Sequence, residues 1–445
     1  MELNIKTVID SISCSSSYED SYKKLKQIYQ YVEFDKIIEN PIKLFDIHLP
    51  FCYRPDLMDI SIRFTVQMNL FAGSIINFGT DAHRKLLNDK SIIGCFALTE
   101  RTAGITSGMY IKTRCDYNTN TGKYILNTHN YNNRKIWISQ GLFARYCVVF
   151  TEYYINNKYH GIQPFLITLR DENMSPHTGV VIELMSQKHI IKNLDNVSIT
   201  FNNFEIPSTA IMNRKPCNTF LDIADRLLTG RIILSECAIQ SAKRTLDSFY
   251  KDYVSKKEIF INRNHHRIKL KNIDRIQKVF DNYNRQYILS IKMIAKTKLL
   301  ICDNIKNNTR PTRKTIELIN TTKIHSIELV YNTMSLIQRY MGSQSLLNEF
   351  VNPTIYIPFL VAEGSTDILR QKLVSDNMYK LTKHPLRYIT QTIKGNTTIS
   401  EMYYTTRLLV LLSIHKNKEL YWLSQLNDID ILSNIIITKN IKASL

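Results

Sequence analysis

The chain has little glycine, little tryptophan and no long apolar run. Only 13 of its 445 residues are glycine and two are tryptophan, whereas about 7% glycine is usual. Its longest apolar runs, such as residues 408–412, are far shorter than the roughly 20 residues that cross a bilayer. The N-terminus has no basic start followed by a long apolar core, so we expect no secretory signal. The sequence therefore predicts a protein without a membrane span.

Paired cysteines and the common nucleotide motifs are also missing. The eight cysteines are scattered singly and form no C-x-x-C pair, which is typical of a reducing compartment and argues against disulfides or a zinc ribbon. The sequence contains no H-E-x-x-H, no P-loop and no G-x-G-x-x-G after a strand. We therefore expect no metal site, and any nucleotide cofactor must be held outside a Rossmann unit.

Positive charge is in excess, with 58 Lys and Arg against 39 Asp and Glu and a net charge of +19. Such an excess favours nucleic acid or a phosphate-rich small ligand, for example a coenzyme A ester. The basic residues are spread along the chain among many Asn and Ile, without a zinc-finger or basic-zipper pattern. We therefore predict no nucleic-acid partner and favour the small ligand.

The apolar spacing changes twice along the chain. Residues 19–38 and 57–78 carry apolar side chains at helical spacing. The next part of the chain alternates β-branched and aromatic runs with turn residues such as "DYNTNTG" and "YINNKYHG". After Pro207, long segments again place apolar residues three and four apart. We predict an α+β fold with an N-terminal helical domain (1–92), a central antiparallel β-barrel or sandwich (93–213) and a C-terminal four-helix-type bundle (214–445).

The stretch "GCFALTERTAG" contains a strand that ends abruptly in polar residues. Its apolar part, residues 95–98, is followed at once by Thr99 and Glu100. A solvent-facing edge would explain this change, and so would a strand end whose hydroxyl and amides hold a cofactor. The local sequence leaves both interpretations open.

A second candidate lies in "RKIWISQG". If this stretch is a regular strand, Trp137 alternates with Ile136 and Ile138 and shares a face with Ser139. A large flat ring beside a hydroxyl suits the wall of an aromatic cofactor. A tryptophan in the hydrophobic core is the alternative interpretation.

Glu363 is the best candidate for a base. It follows an apolar run in "LVAEGSTDILRQKL" and precedes Gly364, Ser365 and a helical stretch. Burial raises the pKa of a carboxylate towards neutrality, where a general base works best. Alternatively, the helix dipole and serine capping favour a glutamate at a helix start for structural reasons alone.

Taken together and in this order, these stretches resemble the acyl-CoA oxidase and acyl-CoA dehydrogenase superfamily, and the oxidases most. "GCFALTE" is similar to their flavin-contacting strand, "KIWISQG" to a K-x-W-I-T-N-G strand, and "AEGSTDILRQKL" to the segment that bears the base. "HGIQPFLITLRDE" is particularly similar to the oxidases, and "DNVSITFNNFEIPSTAIMNR" to the stretch that leaves the β domain. The resemblance runs from about residue 69 to 375.

The resemblance implies an FAD-dependent acyl-CoA oxidase that forms a trans-2-enoyl-CoA and passes electrons to O2. It implies that Glu363 is the base, that Arg231 supports it, and that Ile105 and Gly364 contact the acyl-CoA substrate. The stretch "QRYMG" resembles a Q-x-x-G-G element that reaches the FAD of a neighbouring subunit in this superfamily, which implies a homo-oligomer, either a dimer or a tetramer. The cofactor contacts implied are Phe96, Leu98, Thr99, Trp137, Ser139, Lys257, Phe260, Gln338, Gly342 and Ser365.

Two alternatives stay open within the resemblance. The electrons can instead pass to an electron-transfer flavoprotein, as in the dehydrogenases. The chain can also be a divergent, non-catalytic member, because Ile105 stands where dehydrogenases often have a serine and Lys257 replaces an expected arginine. We expect a cytoplasmic location or, in a eukaryote, a peroxisomal one, for which the final Ala443, Ser444 and Leu445 are a weak signal.

Overall fold

A computed structural model of the protein describes residues 4–104, 110–212, 227–260, 267–347, 352–393 and 397–443. The chain forms two compact units. The first unit is Met1–Ile233 together with Cys302–Thr309, and the second is Leu234–Ile301 together with Arg310–Leu445. The division of the chain into three domains at residues 92 and 213 stays a prediction.

Short helices open the first unit, as the spacing of apolar residues predicts. The Ser17 side chain caps the second helix by accepting a hydrogen bond from the Asp20 N–H, and Leu25 and Ile28 lie on its buried face. The helices are α1 (Ile5–Ser11), α2 (Tyr18–Tyr29), α3 (Phe34–Glu39), α4 (Lys43–Asp46), α5 (Leu49–Cys52), α6 (Met58–Thr65), which continues through a π-helical segment (Val66–Ala72) into α7 (Gly73–Phe78), and α8 (Asp81–Lys85).

Nine strands follow within residues 94–104 and 110–206, and they form two sheets. The strands are β1 (Gly94–Ala97), β2 (Arg114–Asn118), β3 (Lys123–Asn127), β4 (Lys135–Ser139), β5 (Tyr146–Ile155), β6 (Lys158–Thr168), β7 (Val180–Leu184), β8 (Asn196–Phe201) and β9 (Phe204–Ile206). The larger sheet has the order β1-β5-β2-β3-β9, with β6 also paired to β5, and the smaller sheet has the order β4-β8-β7.

The larger sheet is mixed, whereas the sequence predicts an antiparallel unit. Strands β1 and β2 both run parallel to β5, and the other strand pairs in the two sheets are antiparallel. The tight turn predicted at "DYNTNTG" joins β2 to β3, and the one predicted at "YINNKYHG" joins β5 to β6. In the second turn, Asn156 and Asn157 have the positive φ values (50° and 61°) of a two-residue hairpin turn. The longer connections before β5 allow the parallel pairings.

Both faces of β5 are buried, each in a different core. Cys147 and Val149 point into a core between the two sheets. Val148 and Phe150 point into a second core, which the N-terminal helices complete. A strand that is buried on both faces is a continuous apolar run instead of an alternating one, as "CVVF" is here.

The second unit is predominantly helical. Its elements are α9 (Leu228–Phe249) with a π-helical end (Tyr250–Val254), the hairpin β10 (Glu258–Phe260) and β11 (Arg267–Lys269), α10 (Asp274–Lys306), α11 (Arg313–Met341), α12 (Ile357–Val361), α13 (Thr366–Lys383), α14 (Pro385–Ile393), α15 (Ile399–Ile414), α16 (Lys418–Ser424) and α17 (Leu426–Lys442). Residues 228–233 of α9 and 302–306 of α10 belong to the first unit. Short 3-10 turns lie at Tyr131–Asn133 and Ser208–Ala210 in the first unit, and at Leu270–Asn272, Gly342–Leu346 and Pro353–Tyr356 in the second.

Long helices pack side by side in this unit, as the predicted bundle requires. Ile324 of α11 packs with Leu369 and Leu373 of α13 and with Ile437 of α17. A second cluster joins α13 and α17 to α15 through Leu408. In the described part of the chain, no helix has the length and apolar character needed to span a membrane.

Candidate functional site

The polar residue after β1 is buried. Glu100 has no solvent exposure. Its carboxylate accepts hydrogen bonds from the backbone N–H groups of Lys112 (2.7 Å) and Thr113 (2.9 Å) and from the Thr113 hydroxyl (2.7 Å). The abrupt change after residue 98 is therefore not a solvent-facing edge at Glu100.

Lys135, the first residue of β4, is the ionic partner of Glu100. Its Nζ lies 2.8 Å from Glu100 Oε1 and also donates to the carbonyl oxygens of Leu98 (3.2 Å) and Phe150 (2.8 Å). Burial lowers the pKa of Lys135, and the Glu100 carboxylate opposes that shift. The ion pair therefore joins "GCFALTE" to "KIWIS", the two stretches that predict a cofactor wall.

The three predicted contacts on the first of these stretches differ in exposure. Phe96 and Leu98 are half-buried beside the helical core, and the Phe96 ring packs 5.4 Å from the Phe150 ring. Thr99 is exposed, and its carbonyl accepts a hydrogen bond from Ile136 N–H at 3.0 Å. The end of this strand therefore presents apolar surface next to a hydroxyl.

Trp137 is not a core residue, because 54% of its side chain is exposed. The pairing of β4 with β8 shifts register between Lys135 and Ile138, and Trp137 has a φ of 59°. This irregularity turns Trp137 outwards while Ile138 points into the core. The simple alternation expected from the sequence is thus broken at the tryptophan.

Ser139 is held by a neighbouring strand. Its Oγ accepts a hydrogen bond from Asn196 Nδ2 at 3.0 Å, and the two residues are paired in register across β4 and β8. Asn196 Oδ1 in turn accepts from Lys188 Nζ at 2.8 Å. The serine hydroxyl therefore has a fixed position and keeps its own hydrogen available as a donor.

Glu363 lies in a strained turn between α12 and α13. Its φ is 57° and that of Gly364 is 91°, so two consecutive residues adopt conformations that favour glycine. The Glu363 side chain is half-buried with its Oε2 atom buried. The next residue, Ser365, caps α13 by accepting a hydrogen bond from the Ile368 N–H at 3.3 Å. Capping therefore belongs to the serine and not to the glutamate.

A buried lysine supports this turn. Lys323 of α11 has no solvent exposure, and its Nζ donates hydrogen bonds to the carbonyl oxygens of Ala362 and Gly364. These two carbonyls flank Glu363 in the sequence. The backbone on both sides of the candidate base is therefore tied to one side chain.

The remaining predicted residues lie in other segments of the chain or outside the described residues. Arg231 is buried in α9, and its support of the base stays a prediction. Lys257 and Phe260 are exposed next to or within β10, where the Arg267 guanidinium lies 5.0 Å from the centre of the Phe260 ring. Ile105, the predicted substrate contact, lies outside the described residues.

The stretch "QRYMG", residues 338–342, lies at the end of α11. Gln338 is half-buried, and Gly342 ends the helix with a φ of 58°. The space around the Gly342 Cα is open, so its positive φ, and not crowding, makes glycine suitable there. The contact of this element with a neighbouring subunit's FAD stays a prediction.

Sequence reasoning missed the polar partners of these residues. It named neither the Glu100–Lys135 pair nor the roles of Asn196 and Lys323. Both members of the pair belong to stretches already singled out, so their opposite charges were a usable signal. The sequence also contained a signal for Lys323, because this lysine lies four residues from both Ile319 and Ile327, on an apolar face of its helix.

The chain has sequence relatives among the acyl-CoA oxidases. It is 28% identical over 204 residues to "Acyl-coenzyme A oxidase 3, peroxisomal" of Arabidopsis thaliana, covering 41% of this chain and 30% of the relative. It is 24% identical over 255 residues to "Peroxisomal acyl-coenzyme A oxidase 3" of Homo sapiens, covering 52% and 36%. The matched part therefore spans about a third of the length of these curated relatives. No protein-family model matches the chain.

Solved structures share the fold across almost the whole chain. Acyl-CoA oxidase 1 from Yarrowia lipolytica has a TM-score of 0.76 at 15% identity, with 99% of this chain and 73% of that chain covered. An acyl-CoA dehydrogenase complexed with FAD from Bacillus anthracis has a TM-score of 0.73 at 15% identity, with 98% and 77% covered. The chain thus has the α+β fold of these two enzyme groups.

Proposed function

We propose that this chain belongs to the acyl-CoA oxidase and dehydrogenase superfamily, binds FAD and oxidises a fatty acyl-CoA to the trans-2-enoyl-CoA, with O2 as the electron acceptor. The observation that carries the proposal is the turn at Glu363, where a half-buried carboxylate has a φ of 57°. Such strain persists only where the surroundings enforce it, and it is concentrated at functional sites.

The residues of the first unit fit a flat, polar-edged aromatic group. Phe96 and Leu98 offer apolar surface, Thr99 offers an exposed hydroxyl, and Trp137 offers an exposed ring. Ser139 adds a hydroxyl that Asn196 holds in place. An exposed tryptophan at a register shift does not stabilise the core. A ligand that covers the ring accounts for both the exposure and the register shift. These properties support FAD as the cofactor.

In this proposal Glu363 takes the proton from the α-carbon of the acyl-CoA. The C–H electron pair left behind forms the new double bond while the β-carbon loses a hydride. FAD, when bound, supplies the two-electron acceptor for that hydride. The Glu363 N–H donates a hydrogen bond to the thioester carbonyl, which stabilises the negative charge that develops on its oxygen.

We assign the remaining contacts by the same reasoning. Lys257 supplies positive charge for the cofactor's phosphates, without the paired donors of an arginine. Phe260, exposed beside it, and Ser365 contact the cofactor, and Gly364 contacts the substrate. Arg231 supports the base.

The decisive experiment is an anaerobic titration of the purified protein with acyl-CoAs of several chain lengths, followed by admission of air. We expect a yellow protein whose flavin band is bleached by at least one acyl-CoA. For an oxidase, air restores the band and produces hydrogen peroxide. Bleaching that only an electron-transfer flavoprotein reverses favours the dehydrogenase alternative. A colourless protein that FAD does not reconstitute rules out both.

We also propose that the chain assembles with copies of itself and, in a eukaryote, works in the peroxisome. The position of Gln338 and Gly342 at the end of α11 leaves them available for a neighbouring subunit's FAD. The two relatives described above carry the word peroxisomal in their names. Light scattering of the holoprotein tests the first point. Imaging of a fusion with a fluorescent protein at the N-terminus, with and without Ala443–Leu445, tests the second.

A further inference from the structure

Lys323 lies at a position where a charged side chain destabilises the fold unless it is hydrogen-bonded. Its side chain has no solvent exposure, and its helical neighbours Ile319, Ile324 and Ile327 are buried apolar residues. An ammonium removed from water destabilises the fold unless polar groups surround it. The carbonyl oxygens of Ala362 and Gly364 are two such groups.

The two hydrogen bonds fix both sides of the strained turn. Glu363 and Gly364 have φ values of 57° and 91°, and such conformations need support from their surroundings when the residue is not glycine. Lys323 binds the carbonyl before Glu363 and the carbonyl of Gly364 after it. Loss of that ammonium frees both peptide groups to rotate.

The first of these bonds also sets the direction of the Glu363 N–H. The Ala362 carbonyl and the Glu363 N–H belong to the same planar peptide group, and in a trans peptide they point in opposite directions. Because the carbonyl points at Lys323, the N–H points away from it. A cation at the carbonyl end also polarises the peptide, which makes the N–H a stronger donor.

We propose that Lys323 is a positioning residue for the reaction: it holds the turn so that Glu363 presents its carboxylate, and it orients and strengthens the Glu363 N–H as the donor to the thioester carbonyl. The proposal rests on the proposed function of Glu363. It concerns a residue that touches neither substrate nor cofactor and acts through the backbone.

The test compares four holoproteins: wild type, Lys323→Met, Lys323→Gln and Lys314→Met. Methionine keeps the length of the side chain without a donor, and glutamine keeps a donor without the charge. Lys314 lies exposed on the same helix, so its variant is the matched control. Each protein is assayed for FAD content, for anaerobic flavin bleaching by acyl-CoA, and for hydrogen exchange of the backbone amides of residues 359–366.

We expect K323M to retain FAD. At saturating acyl-CoA, its bleaching is expected to be slower on the order of 100-fold, because a small misplacement of the reacting groups slows a reaction by about that factor. The acyl-CoA concentration at half-maximal rate stays close to the wild-type value. Exchange in residues 359–366 becomes faster, while exchange in the β1 strand does not change. K323Q gives an intermediate rate, and K314M behaves as wild type.

Bleaching of K323M at the wild-type rate, or unchanged exchange in residues 359–366, overturns the proposal. If K323M does not fold, K323Q is judged by the same two measurements. If no acyl-CoA bleaches the wild type, the proposed function fails, and hydrogen exchange alone then decides whether Lys323 fixes the turn: faster exchange supports that, and unchanged exchange overturns it.

Discussion

Nζ of Lys135 lies 2.8 Å from Oε1 of Glu100, and neither side chain has any solvent exposure. The pair joins the end of β1 to the start of β4, and the same ammonium binds the carbonyl oxygens of Leu98 and Phe150. It therefore sets the spacing between the two stretches to which we assign the FAD ring.

Replacement of Lys135 by methionine leaves the Glu100 carboxylate buried without its counter-ion. Removal of one member of a buried pair costs about 3–5 kcal/mol, so K135M is expected to unfold at a clearly lower urea concentration. The spacing between the two strands is also lost, so the variant is expected to bind FAD more weakly. Urea unfolding and FAD titration measure the two effects.

The matched control is Lys123→Met, which removes an exposed ion pair from the larger sheet. Lys123 lies 2.9 Å from Glu205, and both side chains are more than half exposed. Such pairs contribute between 0 and about 1 kcal/mol. Equal losses of stability in K123M and K135M would contradict the role given to the buried pair.

Much of the fold could be predicted because the apolar periodicity is strong. The strands β3, β4 and β8 lie in the part of the chain where β-branched and aromatic runs alternate with turn residues, and the long helices α10 and α11 lie after Pro207, where the apolar spacing is helical. The parallel pairing of β1 and β2 with β5 could not be predicted, since periodicity gives the buried face of a strand but not the identity of its neighbour.

The candidate site residues could be named from the sequence, whereas the contacts around them could not. Glu363 and Trp137 stood out by local pattern and by resemblance, but the register shift that exposes Trp137 has no signature in "KIWIS". Lys323 lies 40 residues from Glu363 in the sequence, and only the packing of α11 against the turn brings it to the carbonyls.

Substitution of Trp137 is expected to weaken FAD binding and to leave the free energy of unfolding nearly unchanged. Loss of a buried tryptophan costs about 3–5 kcal/mol, whereas substitution of a largely exposed side chain usually stays within about 0.5 kcal/mol. Trp137→Leu is therefore expected to unfold at nearly the wild-type urea concentration and to bind FAD more weakly.

The second tryptophan provides the control. Trp422 is half-buried and its Nε1 donates to Gln371 Oε1 at 2.9 Å, so Trp422→Leu is expected to lower stability and to leave FAD binding unchanged. Because the chain has only two tryptophans, Trp422→Phe leaves Trp137 as the single indole. FAD is expected to quench its fluorescence, and an unquenched signal in the holoprotein argues against the contact.

Glu363→Gln removes the proposed base while nearly keeping the shape of the side chain. General-base catalysis contributes about 100- to 10,000-fold, so bleaching by acyl-CoA is expected to slow by that factor while FAD stays bound. Stopped-flow absorbance under anaerobic conditions measures the rate. Asp367→Asn, four residues away at an exposed position, is the control, and wild-type bleaching in E363Q would place the base elsewhere.

His325 makes the stability of the second unit dependent on pH. Burial lowers the pKa of His325 from 6.5 to about 4, so the folded state resists protonation while the unfolded state accepts it. The stability that neutral His325 provides is complete above pH 6.5 and is lost as the pH falls towards 4, by about 3 kcal/mol in total.

The test compares the urea midpoints of wild type and His325→Leu at pH 7 and pH 4.5. The wild type is expected to lose more stability than H325L over this interval, whereas His129→Asn, a change at an exposed histidine, follows the wild type. Parallel curves for wild type and H325L would show that the imidazole is protonated as readily in the folded state as in the unfolded chain.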